Sequence, residues 1–313
     1  MKVFVAGASG AIGKQLIPLL VDAGHEVVGT TTSPQKVDAV GTLGARPVVL
    51  DLLDANAVGR TVSEAEPDVV VHEATALAAV ASSLRKFDKA FAQTNRLRTE
   101  GTDNLLAAAR AIEAKKFVAQ SYAGWPYARE GATVKDEGAA LDPRPAGNAK
   151  ETIAAIRSLE ESVVAANGIV LRYGGFYGPG TSLATGGESA QAIRKRAFPV
   201  VGEGGGMTSF IHIEDAARAT LAAVEHGQPG IYNIVDDDPA PVSAWLPYVA
   251  DALGAKPPRH VPVWLGKLVA GEQLTTMMTE GRGASNAKAK RELDWRPLYP
   301  SWREGFLNVL EAA

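Results

Sequence analysis

Three glycines near the start of the chain, Gly7, Gly10 and Gly13, have a spacing that suits phosphate binding. They follow a short apolar run at residues 3–6 and precede a segment whose apolar residues recur at helical spacing. A helix that begins directly after a strand presents free backbone N–H groups and the positive end of its dipole, which together attract a pyrophosphate. Glycine permits the tight turn, the close approach of the phosphates and the packing of helix on strand. The motif therefore predicts a dinucleotide site, with an ordinary strand–turn–helix as the alternative.

The second predicted strand, Glu26–Thr31, is followed by hydroxyl-bearing residues and a lysine. In a dinucleotide site, an acidic residue here would bind the ribose 2′-hydroxyl of NAD, and residues 30–36 contain none. Thr32, Ser33 and Lys36 can surround a 2′-phosphate, which a carboxylate would repel. A polar loop that caps the next helix is the alternative. The sequence thus favours NADP over NAD as the cofactor.

Other cofactor contacts are expected where further strands end at the same edge of the sheet. Asp51 follows a third strand at residues 46–50, where its carboxylate can accept a hydrogen bond from an adenine amino group. His72 ends a fourth strand at residues 68–72 and is interpreted as structural, and the small residues after it let a cofactor lie flat. The predicted cofactor-binding set is Gly7, Ser9, Gly10, Ala11, Ile12, Gly13, Thr32, Ser33, Lys36, Asp51, Leu52, Ala74, Thr75, Ala76, Asn95, Tyr173, Gly174, Gly175 and Phe176.

Strands and helices alternate along the chain, which predicts an α/β fold with a Rossmann-type doubly wound parallel sheet. A long helix is expected at residues 95–114, a fifth strand at 116–120 and a sixth at 168–172. A helix before the sixth strand is expected to bury its apolar residues 153, 156, 159 and 163. Residues 122–149 are rich in glycine, proline and charge, and a loop of this length suits a lid or site wall. The predicted NAD(P)-binding domain covers residues 1–177 with 209–238, and a small, mostly helical substrate domain covers 178–208 and 239–313.

Composition excludes several function classes. The 313 residues carry a net charge of -3, which gives no electrostatic basis for binding nucleic acid or an anionic membrane. The chain has no cysteine, and its histidines lack paired zinc-ligand spacing, so no metal site is predicted. No apolar run approaches the about 20 residues that span a bilayer. We expect a cytoplasmic protein that acts on a small-molecule substrate.

With these segments in view, the chain resembles the short-chain dehydrogenase/reductase superfamily, and more narrowly its extended NAD-dependent epimerase/dehydratase branch. The resemblance covers nearly the whole length. It depends on the glycine motif at residues 7–13, on segments 171–179, 209–217 and 230–235, and on the closing segments 285–286 and 293–297. The family implies a substrate between the two domains, hydride transfer at the nicotinamide, and possible homodimers.

The same resemblance implies a serine or threonine after the fifth strand and a tyrosine and lysine four residues apart. Ser121 matches the serine, but the chain contains no Tyr-x-x-x-Lys motif. Lys150 is the nearest lysine, and Ala146 lies four residues before it, where the tyrosine is expected. A second alignment counts back from Glu160-Glu161 and places Ile156 or Arg157 at the lysine position. An atypical catalytic set of Ser121, Tyr127 and Lys150 is predicted, in which Ser121 hydrogen-bonds the reacting oxygen and Tyr127 or a bound water relays the proton.

Several readings of that set stay open. Tyr127 also fits a packing role, and Arg157 can supply the cation in place of Lys150. The preferred function is an NAD(P)-dependent oxidoreductase that acts on a small carbonyl or hydroxyl substrate. The alternatives are a sugar-nucleotide epimerase or dehydratase and a non-catalytic, NADP-binding redox sensor.

Overall fold

The computed structural model describes residues 1–77 and 84–311. Its strands, in chain order, are β1 (Lys2–Ala6), β2 (Glu26–Thr31), β3 (Arg46–Val49), β4 (Val69–His72), β5 (Lys116–Tyr122), β6 (Val134–Lys135), β7 (Ile169–Tyr173), β8 (Gly175–Tyr177), β9 (Val200–Val201), β10 (Met207–Thr208), β11 (Phe210–His212), β12 (Gly230–Ile234), β13 (Ala240–Pro241), β14 (His260–Val261) and β15 (Gly283–Ala284).

The α-helices are α1 (Ala11–Asp22), α2 (Val37–Thr42), α3 (Ala55–Ala65), α4 (Phe87–Arg96), α5 (Thr102–Ala111), α6 (Lys150–Ala165), α7 (Glu188–Arg194), α8 (Ile213–Glu225), α9 (Val242–Ala252), α10 (Val263–Ala270), α11 (Glu272–Glu280), α12 (Ala287–Glu292) and α13 (Trp302–Glu311). A π-helical segment, Leu97–Gly101, joins α4 to α5.

Seven of these strands form the central parallel sheet, in the order β12-β7-β5-β4-β1-β2-β3. The order reverses between β1 and β4, because the chain first builds outward through β2 and β3 and then returns to the other side of β1. In open α/β sheets, ligands bind at the carboxyl ends of the strands beside such a reversal. The predicted fold class is confirmed, and the glycines after β1 lie at this point.

Helices cover both faces of the sheet, which explains why its strands are nearly continuous apolar runs. One core contains α1 and α8 with alternate strand residues such as Val3, Val5 and Val71. The opposite core contains the intervening residues, such as Phe4 and Val70, with apolar residues of α3, α5 and α6. The predicted buried face of α6 is confirmed, since its apolar positions at residues 153, 156, 159 and 163 are all buried.

A third core lies away from the sheet and joins α9 and α13 to short strands of the C-terminal part. Its largest members are the aromatic residues Tyr177, Phe210, Trp245, Trp302 and Phe306. This core includes residues from both parts of the predicted substrate domain, whose boundaries stay a prediction.

Two predicted boundaries near the site are wrong. The expected helix at 95–114 is instead α4, the π-helical segment and α5, because α4 already begins at Phe87 and the wider π turn interrupts the helical repeat. The fifth strand continues to Tyr122, two residues past its predicted end, so Ser121 lies within β5 and not after it.

Within residues 1–77 and 84–311, no helix combines the length and apolar composition required to cross a bilayer.

Candidate active site

The turn between β1 and α1 is shaped by its glycines. Gly7 has a φ of +92°, and a Cβ atom there would lie 2.7 Å from the backbone nitrogen of Ala74. A Cβ on Gly13 would lie 2.4 Å from the carbonyl oxygen of Ala8, inside the helix–strand contact. Gly10 is the N-cap of α1 and makes no such close approach, and no side chain caps the helix. The first-turn amides at Ala11 and Ile12 therefore suit a pyrophosphate, which is the fit expected of a dinucleotide site.

The end of β2 carries hydroxyl groups next to this turn. The Oγ atom of Ser9 lies 3.1 Å from Oγ1 of Thr31, which also accepts a hydrogen bond from the backbone N–H of Ser33. Thr32 and Lys36 are exposed, and Lys36 ends the single 3₁₀ turn Pro34–Lys36. The surface at this end of the site thus offers hydroxyls and an ammonium group.

At the end of β3, Asp51 is exposed and its Oδ1 atom accepts a hydrogen bond from the backbone N–H of Leu53. Leu52 is buried, and its carbonyl accepts a hydrogen bond from Asn104. One oxygen of the Asp51 carboxylate therefore holds the local turn. An adenine contact at Asp51 and Leu52 stays a prediction.

Two buried ionisable residues end β4. The Nε2–H group of His72 donates to the carbonyl of Leu97, 3.2 Å away, and burial lowers the pKa of His72 to about 4. This contact supports the structural interpretation of a neutral His72. Glu73 lies on the other face, where the hydroxyl of Tyr173 donates to its Oε1 atom at 2.9 Å. Burial raises the pKa of Glu73 to about 8, so the carboxyl is protonated at neutral pH.

The remaining predicted cofactor residues lie along the same edge. Ala74 abuts Gly7, and the backbone N–H of Ala76 donates to Thr94, with Thr75 between them. Asn95 donates to the hydroxyl of Thr152 in α6 and so links α4 to α6.

After β7, the Tyr173 ring is buried and stands 5.4 Å from the ring of Phe176. A Cβ atom on Gly174 would lie 2.7 Å from the carbonyl oxygen of Ser209, whereas Gly175 is exposed. Close contact with the neighbouring chain thus explains the glycine at 174. The cofactor roles of residues 173–176 stay predictions.

Ser121 is part of a buried polar network. Its hydroxyl donates to Oε1 of Glu160 at 2.6 Å, and Arg172 binds both oxygens of the same carboxylate at 2.8 and 2.6 Å. Burial lowers the pKa of Arg172, but the hydrogen bond and charge of Glu160 outweigh it and leave that pKa raised. This network ties β5, α6 and β7 together. A contact between Ser121 and substrate stays a prediction.

Tyr127 is buried beside the same network. Its hydroxyl donates to Oδ1 of Asn233, and the Arg172 guanidinium lies 5.2 Å from the centre of its ring. Burial raises the pKa of this phenol above its ordinary value. These contacts favour the packing role that the sequence left open, while the predicted proton relay through Tyr127 is supported by no contact in the described chain.

The start of α6 explains what replaces the missing tyrosine and lysine. Of the pair Glu160-Glu161, only Glu160 is buried. This favours counting back from Glu160, which assigns Ile156 to the lysine position and Thr152 to the tyrosine position that the family resemblance implies; the assignment stays a prediction. Thr152 donates to Asp88, which also caps the helix. Lys150 is exposed at the first residue of α6, so the structure does not bring it together with Ser121.

A second buried arginine, Arg98, was missed by sequence reasoning. It lies in the π-helical segment, with its guanidinium 4.8 Å from the ring centre of Tyr122 and 5.9 Å from that of Phe91. Its Nη1 atom lies 3.5 Å from Oδ1 of Asn95. An arginine inside an otherwise amphipathic helical stretch was the only signal in the sequence. Arg98 and Tyr122 therefore join the candidate site at the end of β5.

The model of the NAD-dependent epimerase/dehydratase family matches residues 3–235. The chain belongs to this family. Its membership and its reductase-named relatives make it an NAD(P)-dependent oxidoreductase or epimerase.

Two curated relatives cover most of the chain. A 3-diazoavenalumate denitrifying reductase from a Streptomyces species is 43% identical over 97% of this chain and 99% of its own length. A 2-alkyl-3-oxoalkanoate reductase from Stenotrophomonas maltophilia is 30% identical over 82% of this chain and 76% of its own length. Both names describe reductases, with different substrates.

Two solved structures share the fold. UDP-glucose 4-epimerase from Thermotoga maritima superposes with a TM-score of 0.78 and 23% identity, over 99% of this chain and 98% of that one. dTDP-glucose 4,6-dehydratase from Bacillus anthracis, in complex with NAD, superposes with a TM-score of 0.74 and 18% identity, over 99% of this chain and 96% of that one. At these identities the likeness concerns the fold alone.

Proposed function

We propose that this protein is an NADPH-dependent reductase that delivers hydride to an electrophilic small molecule. The observation that carries the proposal is the contrast between the two halves of the site. The turn at residues 7–13 fits a pyrophosphate, whereas the buried face of α6 presents Thr152, Ile156 and Glu160 and no phenol–ammonium pair. Such a site suits a reduction in which no tyrosine has to donate a proton to the substrate.

A diazo substrate meets this requirement, as the name of the 43% identical relative suggests. The bound nicotinamide supplies the hydride, and the balance is R₂C=N₂ + NADPH + H⁺ → R₂CH₂ + N₂ + NADP⁺. The proton comes from solvent and the departure of N₂ drives the reaction, so the protein's task is to bind and orient the two reactants. Carbonyl reduction, the reaction type that we predicted from the family resemblance, is the second candidate and is suggested by the name of the 30% identical relative.

The preference for NADPH depends on the end of β2. Exposed Thr32 and Lys36 and half-buried Ser33 lie where the adenosine ribose of a dinucleotide lies in this fold. The nearest carboxylate in sequence, Asp38, belongs to the first turn of α2. We infer that a 2′-phosphate binds these hydroxyls and the ammonium group.

The first experiment measures binding of NADPH and NADH to the wild type and to Gly10→Ala. A methyl group at residue 10 would lie 3.1 Å from the carbonyl oxygen of Gly7, a tight contact that the turn relieves by a shift of a few tenths of an ångström, and it projects where the pyrophosphate approaches. We expect about tenfold weaker NADPH binding, equal to about 1.4 kcal/mol, and the melting temperature of the variant is measured beside it. Gly59→Ala, at a helical glycine with open space around it, is the matched control.

The second experiment adds an aromatic diazo ketone or an aromatic ketone and follows loss of the reduced nicotinamide absorbance and release of N₂. Turnover of the diazo compound with stoichiometric N₂ supports the first candidate, and turnover of the ketone alone supports the second. Tight NADPH binding without turnover of either class would contradict the reductase and favour the redox sensor.

A further inference from the structure

Arg98 is a buried cation with an unusual position. Only 3% of the residue is exposed, and it lies in the π-helical segment that joins α4 to α5. Single π turns inside α-helices occur frequently at functional sites. Burial lowers the pKa of Arg98. A guanidinium nevertheless keeps its charge in proteins, so the desolvation is a cost to stability that the fold accepts.

No carboxylate in the described part of the chain forms an ion pair with Arg98. Its neighbours are the rings of Phe91 and Tyr122, the Tyr122 hydroxyl, to which it is hydrogen-bonded, and the Asn95 amide oxygen at the 3.5 Å limit of a hydrogen bond. The charge of Glu160 attracts Arg98 without forming an ion pair with it. Arg172, by contrast, binds both oxygens of Glu160. A guanidinium has five N–H donors in a planar fork that matches a carboxylate or a similar anion. The donors of Arg98 are therefore suited to an anion that residues 1–77 and 84–311 do not supply as an ion-pair partner.

The surroundings of Arg98 are apolar and aromatic. Phe87 stacks on Phe91 at 4.5 Å, and Trp125 lies 5.4 Å from both Phe87 and Tyr122. We call these four rings the aromatic cluster; Met277 of α11 packs against it from the C-terminal part. Tyr122 and Trp125 are only partly buried. Rings at such distances give a planar aromatic ligand stacking partners.

The cluster lies at the end of β5, at the same sheet edge as the glycine turn. In this fold a dinucleotide extends along the edge from the side of β2 across the reversal point, so its reactive end is directed to β4, β5 and β7. Asn95 connects Arg98 to Thr152, the α6 residue at the position where the family resemblance implies a tyrosine. Arg98 is thus the buried cation on the side where substrate has to bind.

We propose that Arg98 and Tyr122 form the anion-binding subsite of the substrate pocket, which takes an aromatic substrate through an ionised oxygen, a carboxylate or phenolate. This proposal rests on the proposed reductase function. The aromatic cluster holds the ring, the Arg98 guanidinium binds the oxygen, and the Tyr122 hydroxyl donates a further hydrogen bond. A low-dielectric site makes such a charge-assisted contact strong.

The test uses the full chain saturated with NADP⁺ and measures binding of three probes by calorimetry. 4-Hydroxycinnamate carries a carboxylate, 4-nitrophenolate carries a phenolate, and methyl 4-hydroxycinnamate is the uncharged match of the first. We expect the wild type to bind at least one anion, and the anion that binds identifies the oxygen type. Arg98→Met is expected to weaken that binding by about tenfold or more, and Tyr122→Phe by less.

Three comparisons separate the proposed role from a structural one. Arg98→Lys, which keeps the charge, is expected to restore part of the binding. Arg110→Met, at an exposed arginine of α5, is expected to bind both anions as the wild type does. Arg98→Met is expected to melt no lower than the wild type, because replacing a buried unpaired charge with an apolar side chain is neutral or stabilising.

Equal anion binding by the wild type and Arg98→Met overturns the proposal, and so does failure of the wild type to bind either anion. A lower melting temperature in Arg98→Met together with no rescue by Arg98→Lys also overturns it, since Arg98 is then structural. Failure of NADP⁺ to bind at the start instead contradicts the proposed function, so the two failures are distinguishable.

Discussion

Two buried arginines at the same edge of the sheet have opposite surroundings. Arg172 on β7 binds the carboxylate of Glu160 through two hydrogen bonds, and the same carboxylate accepts from Ser121. Arg98 in the π-helical segment has aromatic rings and an amide as neighbours and no ion-pair partner in the described chain. The first arginine is paired with a carboxylate of the fold, whereas the second forms no ion pair within the described residues.

The difference distinguishes a buried charge that stabilises the fold through an ion pair from a buried charge that forms no ion pair. A paired buried charge is expensive to break, because removing one partner leaves the other desolvated. An unpaired one lowers stability while the ligand is absent, and such costs are typical of functional sites. Of the two residues that the sequence placed in catalysis, Ser121 donates to the Glu160 carboxylate that pairs with Arg172, and Tyr127 packs its ring beside the Arg172 guanidinium.

The largest effect is expected for Arg172→Met. The substitution leaves the buried Glu160 carboxylate with Ser121 as its remaining partner, so the free energy of unfolding should fall by about 3–5 kcal/mol. Urea unfolding measures it, with Arg98→Met as the matched variant at a comparably buried arginine. A similar loss of stability in both variants would erase the contrast between the two arginines.

The next effect concerns Glu73, a buried carboxyl that, like Arg98, forms no ion pair within the described residues. Because burial raises its pKa to about 8, the unfolded chain loses this proton near pH 4.5 while the folded chain keeps it. Between these values the folded state binds more protons, so stability falls as pH rises, and above about pH 8 the loss is complete.

Glu73→Gln removes this dependence. Each pKa unit corresponds to about 1.4 kcal/mol. The free energy of unfolding of the variant should therefore exceed that of the wild type by a few kcal/mol near pH 8 and by little near pH 4.5. Denaturant midpoints across this range measure the gap. A gap that narrows as pH rises would show that Glu73 is ionised in the folded protein. Asp236, whose burial also raises its pKa to about 8, adds the same trend to both proteins and cancels in the comparison.

The smallest effect on stability is expected for Ser121→Ala. It removes one hydrogen bond to Glu160 while Arg172 still binds both oxygens, so about 1–2 kcal/mol is lost. Turnover per folded molecule then tests the catalytic role that the sequence predicts for Ser121. If Ser121 only supports the Glu160–Arg172 pair, the Michaelis constant and turnover number change little; a turnover number about a hundredfold lower would place Ser121 against the substrate.

The sequence predicted the features that depend on neighbouring residues. The strand–glycine–helix turn, the apolar strands, the buried face of α6 and the doubly wound fold follow from local spacing and are confirmed. It also showed that no Tyr-x-x-x-Lys motif is present. Boundaries failed where tertiary packing extended β5 to Tyr122 and where a π turn broke the helical repeat.

The tertiary structure alone decided which charges are paired. Glu160 meets Arg172 across 12 residues and Ser121 across 39, while Glu73 and Tyr173 are 100 residues apart. No local pattern encodes such contacts, because they arise when α6 and β7 pack against β5 and when α8 covers the other face. The sequence therefore determined a dinucleotide-binding fold without its usual acid–base pair, and only folding showed that Arg98 and Arg172, not Lys150, are buried cations near the end of β5 and that Arg172 is the one paired with a carboxylate.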